Sequence, residues 1–225
     1  MMNEPSRRTE WIVWGGLALI IAAISGAFVW KKLVPDGLST SQPMPVLGQL
    51  PGFVLTNQLG QVVSLTDLRG QVWVADIIFT RCPVACPKMT RHFAELQAIL
   101  PTHQSIKLVS FTSDPEHDTP GVLKKYAERF GADPNRWWFL TGDKPQIRGL
   151  AVNDFKFVVV EKQPGERDVP DDLFLHSTWF VLVDRRGRVR GWTDKSGGLH
   201  AYYDSENPDE RALIPAAVQQ LLHEK

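Results

Sequence analysis

Residues 72–90 read Val72-Trp73-Val74-Ala75-Asp76-Ile77-Ile78-Phe79-Thr80-Arg81-Cys82-Pro83-Val84-Ala85-Cys86-Pro87-Lys88-Met89-Thr90. The first eight form an apolar run rich in β-branched and aromatic residues, the pattern of a buried strand. Cys82 and Cys86 are the only two cysteines of the chain, and they stand where that strand gives way to a helix. If the chain is helical from Cys82 onward, positions i and i+4 share a face and both sulfurs point the same way. Two thiolates on one turn can close a disulfide or hold one soft metal ion, and the positive end of a helix dipole favours the thiolate. A plain structural disulfide is the alternative, but so short a loop adds little through chain entropy. Asp76 lies six residues before Cys82 on an otherwise apolar strand. Buried without a cationic partner, its carboxyl would hold its proton more tightly and could act as acid or base for thiol–disulfide exchange. Its other reading is an acceptor of backbone hydrogen bonds that shapes the turn.

Working outward, Phe53–Thr56 and Val62–Leu65 around Asn57-Gln58-Leu59-Gly60 predict a β-hairpin ahead of the central strand. A helix from about Cys86 to Leu100 is stopped by Pro101, and a strand follows at Ile106–Phe111. The polar loop 112–119 carries Asp114, Glu116 and Asp118, with Asp118 or Thr119 expected to cap the helix that Pro120 opens. Further strands are expected at Trp137–Leu140 and Phe155–Val160, with a short helix over Lys144–Leu150 between them. A hairpin of Trp179–Asp184 and Val189–Trp192 turns on Arg185-Arg186-Gly187-Arg188, and Pro208–His223 predicts the last helix. This order describes an α/β fold, a thioredoxin-like mixed sheet flanked by helices with an N-terminal β-hairpin extension. Among the other candidates, Met89 reads as core and His92, His103, His117, His200 and His223 as surface.

Lys plus Arg equals Asp plus Glu, 25 each, so no global field points to nucleic acid. Residues 1–10 read as a tail. Trp11–Trp30 is a charge-free run of 20 residues, bordered by Lys31 and Lys32. At about 1.5 Å per residue it spans roughly the 30 Å of a bilayer core, so one N-terminal transmembrane helix is expected over 11–30, with a signal peptide cleaved near Ser25-Gly26-Ala27 as the alternative. A Pro- and Ser-bearing linker follows at 31–45, and the thioredoxin-like domain takes up 46–225. A single anchor before a large domain suits the inner (cytoplasmic) membrane, with the domain in the periplasm or an equivalent compartment.

Asp76–Thr90 resembles the signature of the Sco/SenC family, membrane-anchored thioredoxin-fold copper proteins of cytochrome c oxidase assembly. Phe111–Leu123, which includes Thr112-Ser113-Asp114-Pro115-Glu116-His117-Asp118, is similar to the family's second block. Leu175-His176-Ser177-Thr178 is similar to its histidine block. The resemblance implies Cys82, Cys86 and His176 as ligands of a copper ion, Cu(I) or Cu(II), and delivery to the copper-bearing subunit of cytochrome c oxidase. The dithiol and Asp76 leave an alternative to copper delivery, a thiol–disulfide oxidoreductase that uses Cys82, Cys86 and Asp76 to reduce that subunit's copper-site cysteines or another exported client. Implied partners are the oxidase subunit and another copper chaperone or a thioredoxin-like reductant. Two positions depart from the family pattern. Val84 stands where an acidic or hydroxyl residue is common, and Leu175 stands where Asp often precedes the histidine. Loss of negative charge there weakens a hold on Cu(II) more than on Cu(I).

Overall fold

The computed structural model describes residues 43–225 apart from 103, 104, 170, 172, 195 and 225, together with Trp14, Leu17 and Ser25; the side chain of His176 also lies outside the description. The expected anchor over 11–30 and linker over 31–45 therefore fall almost entirely outside the described residues. Among those described, no helix is long and apolar enough to cross a membrane.

The strands are β1 (Val46–Gln49), β2 (Val54–Asn57), β3 (Val62–Ser64), β4 (Val72–Ile78), β5 (Ile106–Thr112), β6 (Trp137–Thr141), β7 (Val159–Glu161), β8 (Phe174–His176), β9 (Trp179–Val183), β10 (Arg188–Arg190), β11 (Trp192–Thr193), β12 (Leu199–His200) and β13 (Tyr203–Asp204). The helices are α1 (Leu65–Leu68), α2 (Ala85–Ile99), α3 (Pro120–Arg129), α4 (Lys144–Gly149) and α5 (Pro208–His223). The main sheet runs β1-β10-β9-β4-β5-β6-β2-β3, and β13 also pairs with β9. β4, β5 and β6 are parallel neighbours, whereas β9 and β2 join them antiparallel. Parallel strands covered on both faces read as continuous apolar runs, which is why all seven residues of β4 are buried.

Alternation along the strands sorts the aromatic side chains to two faces. On one face Phe93 of α2 packs against Trp137 and Phe180, with ring centroids 5.4 and 4.6 Å apart, and Tyr126 of α3 meets Phe139 at 6.1 Å. On the other, Phe155 meets Trp73 at 6.0 Å and Phe111 at 5.5 Å. Asp76 is in register with Ser110, which pairs with Phe139, so its carboxylate shares the α2 face.

Three local expectations are corrected. The strand over Phe155–Val160 is confined to Val159–Glu161, because α4 continues through one π-helical turn, Leu150–Asp154. The chain then turns at Lys156, φ 60°, so Phe155 and Phe157 enter the core from a turn. Asp118 does not cap α3: Thr119 holds the N-cap position without a side-chain cap bond, and Asp118 is fully buried. Arg185, Arg186, Arg188 and Arg190, clustered on a turn, read in sequence as a solvated face or a contact for an acidic partner such as an oxidase subunit, but Arg190 is 1 % exposed.

Arg190 donates from Nη1 to Asp184 Oδ2 at 2.8 Å and from Nη2 to the Met44 carbonyl at 2.6 Å and Glu224 Oε2 at 2.5 Å. Burial opposes ionisation of Asp184, but backbone N–H groups and the Arg190 and Arg188 side chains outweigh it and hold the carboxyl below its ordinary range. The stability this carboxylate contributes is therefore complete at neutral pH and lost only as pH falls through that lowered value. Arg190→Ala would remove the buried donor shared by Asp184, Glu224 and the Met44 carbonyl and is expected to cost about 3–5 kcal/mol, measured as a lower urea midpoint at unchanged slope.

Candidate metal and redox site

β4 delivers the chain to a short loop before α2, and the geometry of that loop differs from the expected helical turn. Helix α2 starts at Ala85, so Cys82 stands in the loop ahead of it and only Cys86 is helical. The Cys82 N–H donates to the Phe79 carbonyl at 3.1 Å, curling the loop back on the strand end. The Cys86 N–H then donates to Cys82 Sγ at 3.3 Å, and the Phe79 N–H donates to Cys86 Sγ at 3.4 Å. Val84 at the N-cap has no side-chain acceptor to offer. The Cys82 sulfur fills the acceptor role that a capping oxygen has in most helices. An N–H at the positive end of a helix, aimed at sulfur, favours negative charge there.

The two sulfurs sit at different depths. Cys86 is fully buried, while Cys82 is 8 % exposed. Burial pushes the Cys86 thiol well above its ordinary value, and the neighbouring Cys82 pushes the same way; the Phe79 N–H opposes this, and Asp76 adds to the rise. Behind Cys86, Thr90 donates its hydroxyl to the Cys86 carbonyl at 2.7 Å and lies 2.8 Å from the Tyr126 hydroxyl. Burial raises the Tyr126 phenol strongly, and the charges of Cys86, Asp76 and Cys82 add to the rise. Asp76 is fully buried on this same side, beneath the start of α2.

Side chains from the β5–α3 loop hold the cysteine loop from below. Asp118 Oδ2 accepts from the Thr80 N–H at 3.0 Å and the Thr112 hydroxyl at 2.5 Å, while Oδ1 accepts the Thr80 hydroxyl at 2.5 Å. Arg81 reaches Asp114 Oδ2 at 2.7 Å and approaches Asp171 at 3.9 Å, spanning two loops. In the sequence Asp114 and Asp118 belong to an acidic loop before a helix. Their burial was not legible, because a carboxylate in a polar loop looks solvated until its distant donors are known.

A cleft of about 290 Å³ opens beside Cys82, lined by Pro83, Val84, Ala85, Phe174 and Leu175 together with Lys162, Asp168 and Val169. Phe174 packs edge-on to Phe79 at 5.2 Å, which sets the β7–β8 ribbon against the cysteine loop. His176 ends that ribbon, its backbone paired with Val159 and one residue beyond the cleft-lining Leu175. The fold thus brings the strand carrying His176 to the thiols. Among the described residues no group of three His, Cys, Asp or Glu side chains is assembled for a metal. Met89 is buried core, as expected. His92 is partly buried and 3.1 Å from Glu95, and His200 meets Asp194 at 2.8 Å while stacking on Trp192, so neither is simply solvated. His103 lies outside the described residues.

A thioredoxin-like sheet with a cysteine pair straddling the strand-to-helix junction, one sulfur open to a cleft and one buried, defines a class of dithiol proteins. The blocks that build this site, 76–90, 111–123 and 175–178, fall within one family match. The SCO1/SenC model covers residues 47–204, and the chain belongs to that family. It is similar to the SCO1 protein homolog of Bacillus subtilis, 39% identical over 162 residues, 71% of this chain and 80% of that protein. It is also similar to a structure of BsSco, described as a member of the Sco family of cytochrome c oxidase assembly proteins with a disulfide switch. That structure has a TM-score of 0.64 at 34% identity, covering 82% of this chain and 100% of that one. Bradyrhizobium japonicum ScoI with copper bound shares the fold, with a TM-score of 0.59 at 24% identity over 78% of this chain and 99% of that one.

Proposed function

We propose that this protein carries copper on Cys82, Cys86 and His176 and delivers it to the copper-bearing subunit of cytochrome c oxidase. It would do so from the outer face of the inner membrane, held there by an anchor over residues 11–30. The carrying observation is the cysteine pair joined by the Cys86 N–H to Cys82 Sγ bond, with Cys82 opening on a cleft beside the strand that bears His176. Two sulfur donors suit the soft Cu(I) ion, and one imidazole leaves a site open enough for a partner's ligands to replace its own. The donor chemistry fits the ion. The cleft rim adds Val84, 74 % exposed, and Leu175, 55 % exposed, so it brings no carboxylate at those two positions to favour Cu(II). Membership of the SCO1/SenC family and the copper-bound structure of shared fold support the reading.

The test is a Cu(I) competition titration of the reduced protein against a chelator of known affinity. Wild type is expected to bind one equivalent. His176→Ala is expected to lose more than the roughly 10–100-fold that loss of an outer-sphere partner costs, and Cys82→Ser/Cys86→Ser to lose binding altogether. Binding indifferent to His176 would remove it from the ligand set and leave a dithiol.

A second reading has an observation of its own. Asp76 lies fully buried on the Cys86 side of the sheet, where a proton carrier for dithiol chemistry would be. As a thiol–disulfide oxidoreductase the protein would need Cys82 and Cys86 but not His176. Asp76→Asn would then slow reduction of a disulfide client while leaving the Cu(I) titration unchanged.

A further inference from the structure

We infer that the end of the domain opposite the cysteine cleft is a docking surface for anionic phospholipid headgroups. This rests on the anchor proposed above and adds a second, weaker membrane contact to it.

β4 runs from Val72 to Ile78 toward the cysteine loop, and β9 pairs with it antiparallel, Trp73 opposite Val183. The β9–β10 turn therefore lies at the start of β4, while Cys82 lies beyond its end. Seven residues of strand at about 3.3 Å each separate the two ends by roughly 20 Å. At the turn end Arg185, Arg186, Arg188 and Arg190 line a depression of about 140 Å³ with Asp184 and Glu224. The Gly70 N–H donates to the Arg185 carbonyl at 2.8 Å, which brings Arg69 to the same end.

The charges there do not cancel. Arg188 and Arg190 are matched by Asp184 and Glu224. Asp67, the acid on the adjoining α1, is engaged by the Ser64 N–H and hydroxyl, both at 2.7 Å. Arg69, Arg185 and Arg186 form no ion pair among the described residues; Arg69 and Arg186 are exposed and Arg185 is half-buried. With the charge of Asp67 set against them, Arg69, Arg185 and Arg186 leave an excess of two positive charges at one end of a chain whose formal net charge is +0.

Side chains also tie the start of the domain to this end, while β1 itself runs toward the turn, Val46 opposite Arg190 and Gln49 opposite Arg188. Met44 donates its N–H to Glu224 Oε1 at 3.0 Å, and its carbonyl accepts from the Arg190 guanidinium that holds Asp184. One side chain thus ties the start of the domain to the arginine turn. Residues 31–45 number fifteen and can span at most roughly 50 Å. An anchored domain would therefore keep its basic end within reach of the headgroups. A basic side chain at an anionic leaflet is worth roughly a fivefold gain in partitioning, so three give on the order of 100-fold. Docking in this orientation would point Cys82 away from the lipid and toward an extramembrane client.

The full chain can be placed in nanodiscs of phosphatidylcholine alone or with phosphatidylglycerol, with gadolinium chelated to a fraction of headgroups. Amide relaxation then reports which end lies against the lipid. With anionic discs, Gly70 and Gly187 are expected to broaden and Ala85 to stay sharp. Arg69→Gln/Arg185→Gln/Arg186→Gln should lower the docked-to-undocked ratio on the order of 100-fold, and the corresponding triple lysine variant should restore it. Identical profiles in the two lipids, or an unaffected glutamine variant, would overturn the proposal. So would shifts of these amides with polyglutamate but not with anionic discs, which would assign the patch to an acidic protein. Recovery only with anionic discs, reversed by salt, would keep the docking surface and remove the anchor alone. Recovery with neither disc would remove both.

Discussion

Iodoacetamide is expected to modify Cys82 of the reduced protein and to leave Cys86 intact over the same period. Cys82 lines an open cleft and receives an N–H from the first turn of α2. Cys86 has no exposed surface, and burial together with the adjacent Cys82 keeps its proton on. Thiolate is the reactive form, so Cys86 reacts only from an opened loop and at a higher pH than an ordinary thiol. An opening free energy of about 3 kcal/mol slows labelling on the order of 100-fold. Mass spectrometry of a time course would read the ratio. Equal labelling of both cysteines at neutral pH would mean that the loop does not hold the two depths described. On the proposed function the same asymmetry would order the chemistry: an incoming thiol or metal would meet Cys82 first, and Cys86 would complete the disulfide or the ligand pair from below.

Asp118→Ala is expected to destabilise the domain by about 3 kcal/mol, whereas Asp118→Asn should cost less than about 1 kcal/mol. The alanine leaves the Thr80 N–H and the Thr80 and Thr112 hydroxyls without their acceptor in a closed site. The asparagine keeps one oxygen for two of these donors, and its amide can donate to the Thr80 hydroxyl. The pH dependence separates the two further. Burial raises the Asp118 carboxyl above its ordinary value even though the threonine hydrogen bonds pull it down. A raised folded-state value stabilises below the ordinary carboxylate range and is lost as pH rises through it. Wild type therefore carries a cost at neutral pH that Asp118→Asn does not, and the gap between them should move toward the asparagine variant as pH rises from acid to neutral. Urea midpoints across that range would measure it. Asp118→Ala should also speed labelling of Cys86, because Thr80 is the last fixed residue before Arg81 and Cys82. An unchanged labelling rate would restrict Asp118 to global stability.

Much of this molecule was legible before its coordinates. Where apolar periodicity was unbroken, as in β4, α2, β5 and α5, each element fell within a residue or two of its expected bounds. Where it was ambiguous the reading failed: Phe155 and Phe157 alternate like a strand, but a π-turn and a positive φ at Lys156 put them into the core from a turn. The candidate site was similarly divided. Cys82 and Cys86 announced themselves by number and position, and Asp76 by being acidic inside an apolar run. Asp114, Asp118, Thr80 and Arg81 gave no such signal, since their roles depend on partners more than 30 residues away.

The sequence by itself determined that a buried strand leads into a cysteine pair at a helix start, because apolar runs and helix starts are local properties of neighbouring residues. Only the tertiary structure decided that Cys82 stands outside the helix and caps it while Cys86 lies fully buried behind it. It also decided that the carboxylates of the second block brace the loop from beneath and that the β7–β8 ribbon closes one side of the cleft. Those relations join segments far apart in the chain. They are set by which side chains the sheet order brings within a few ångströms, a quantity that no local pattern carries.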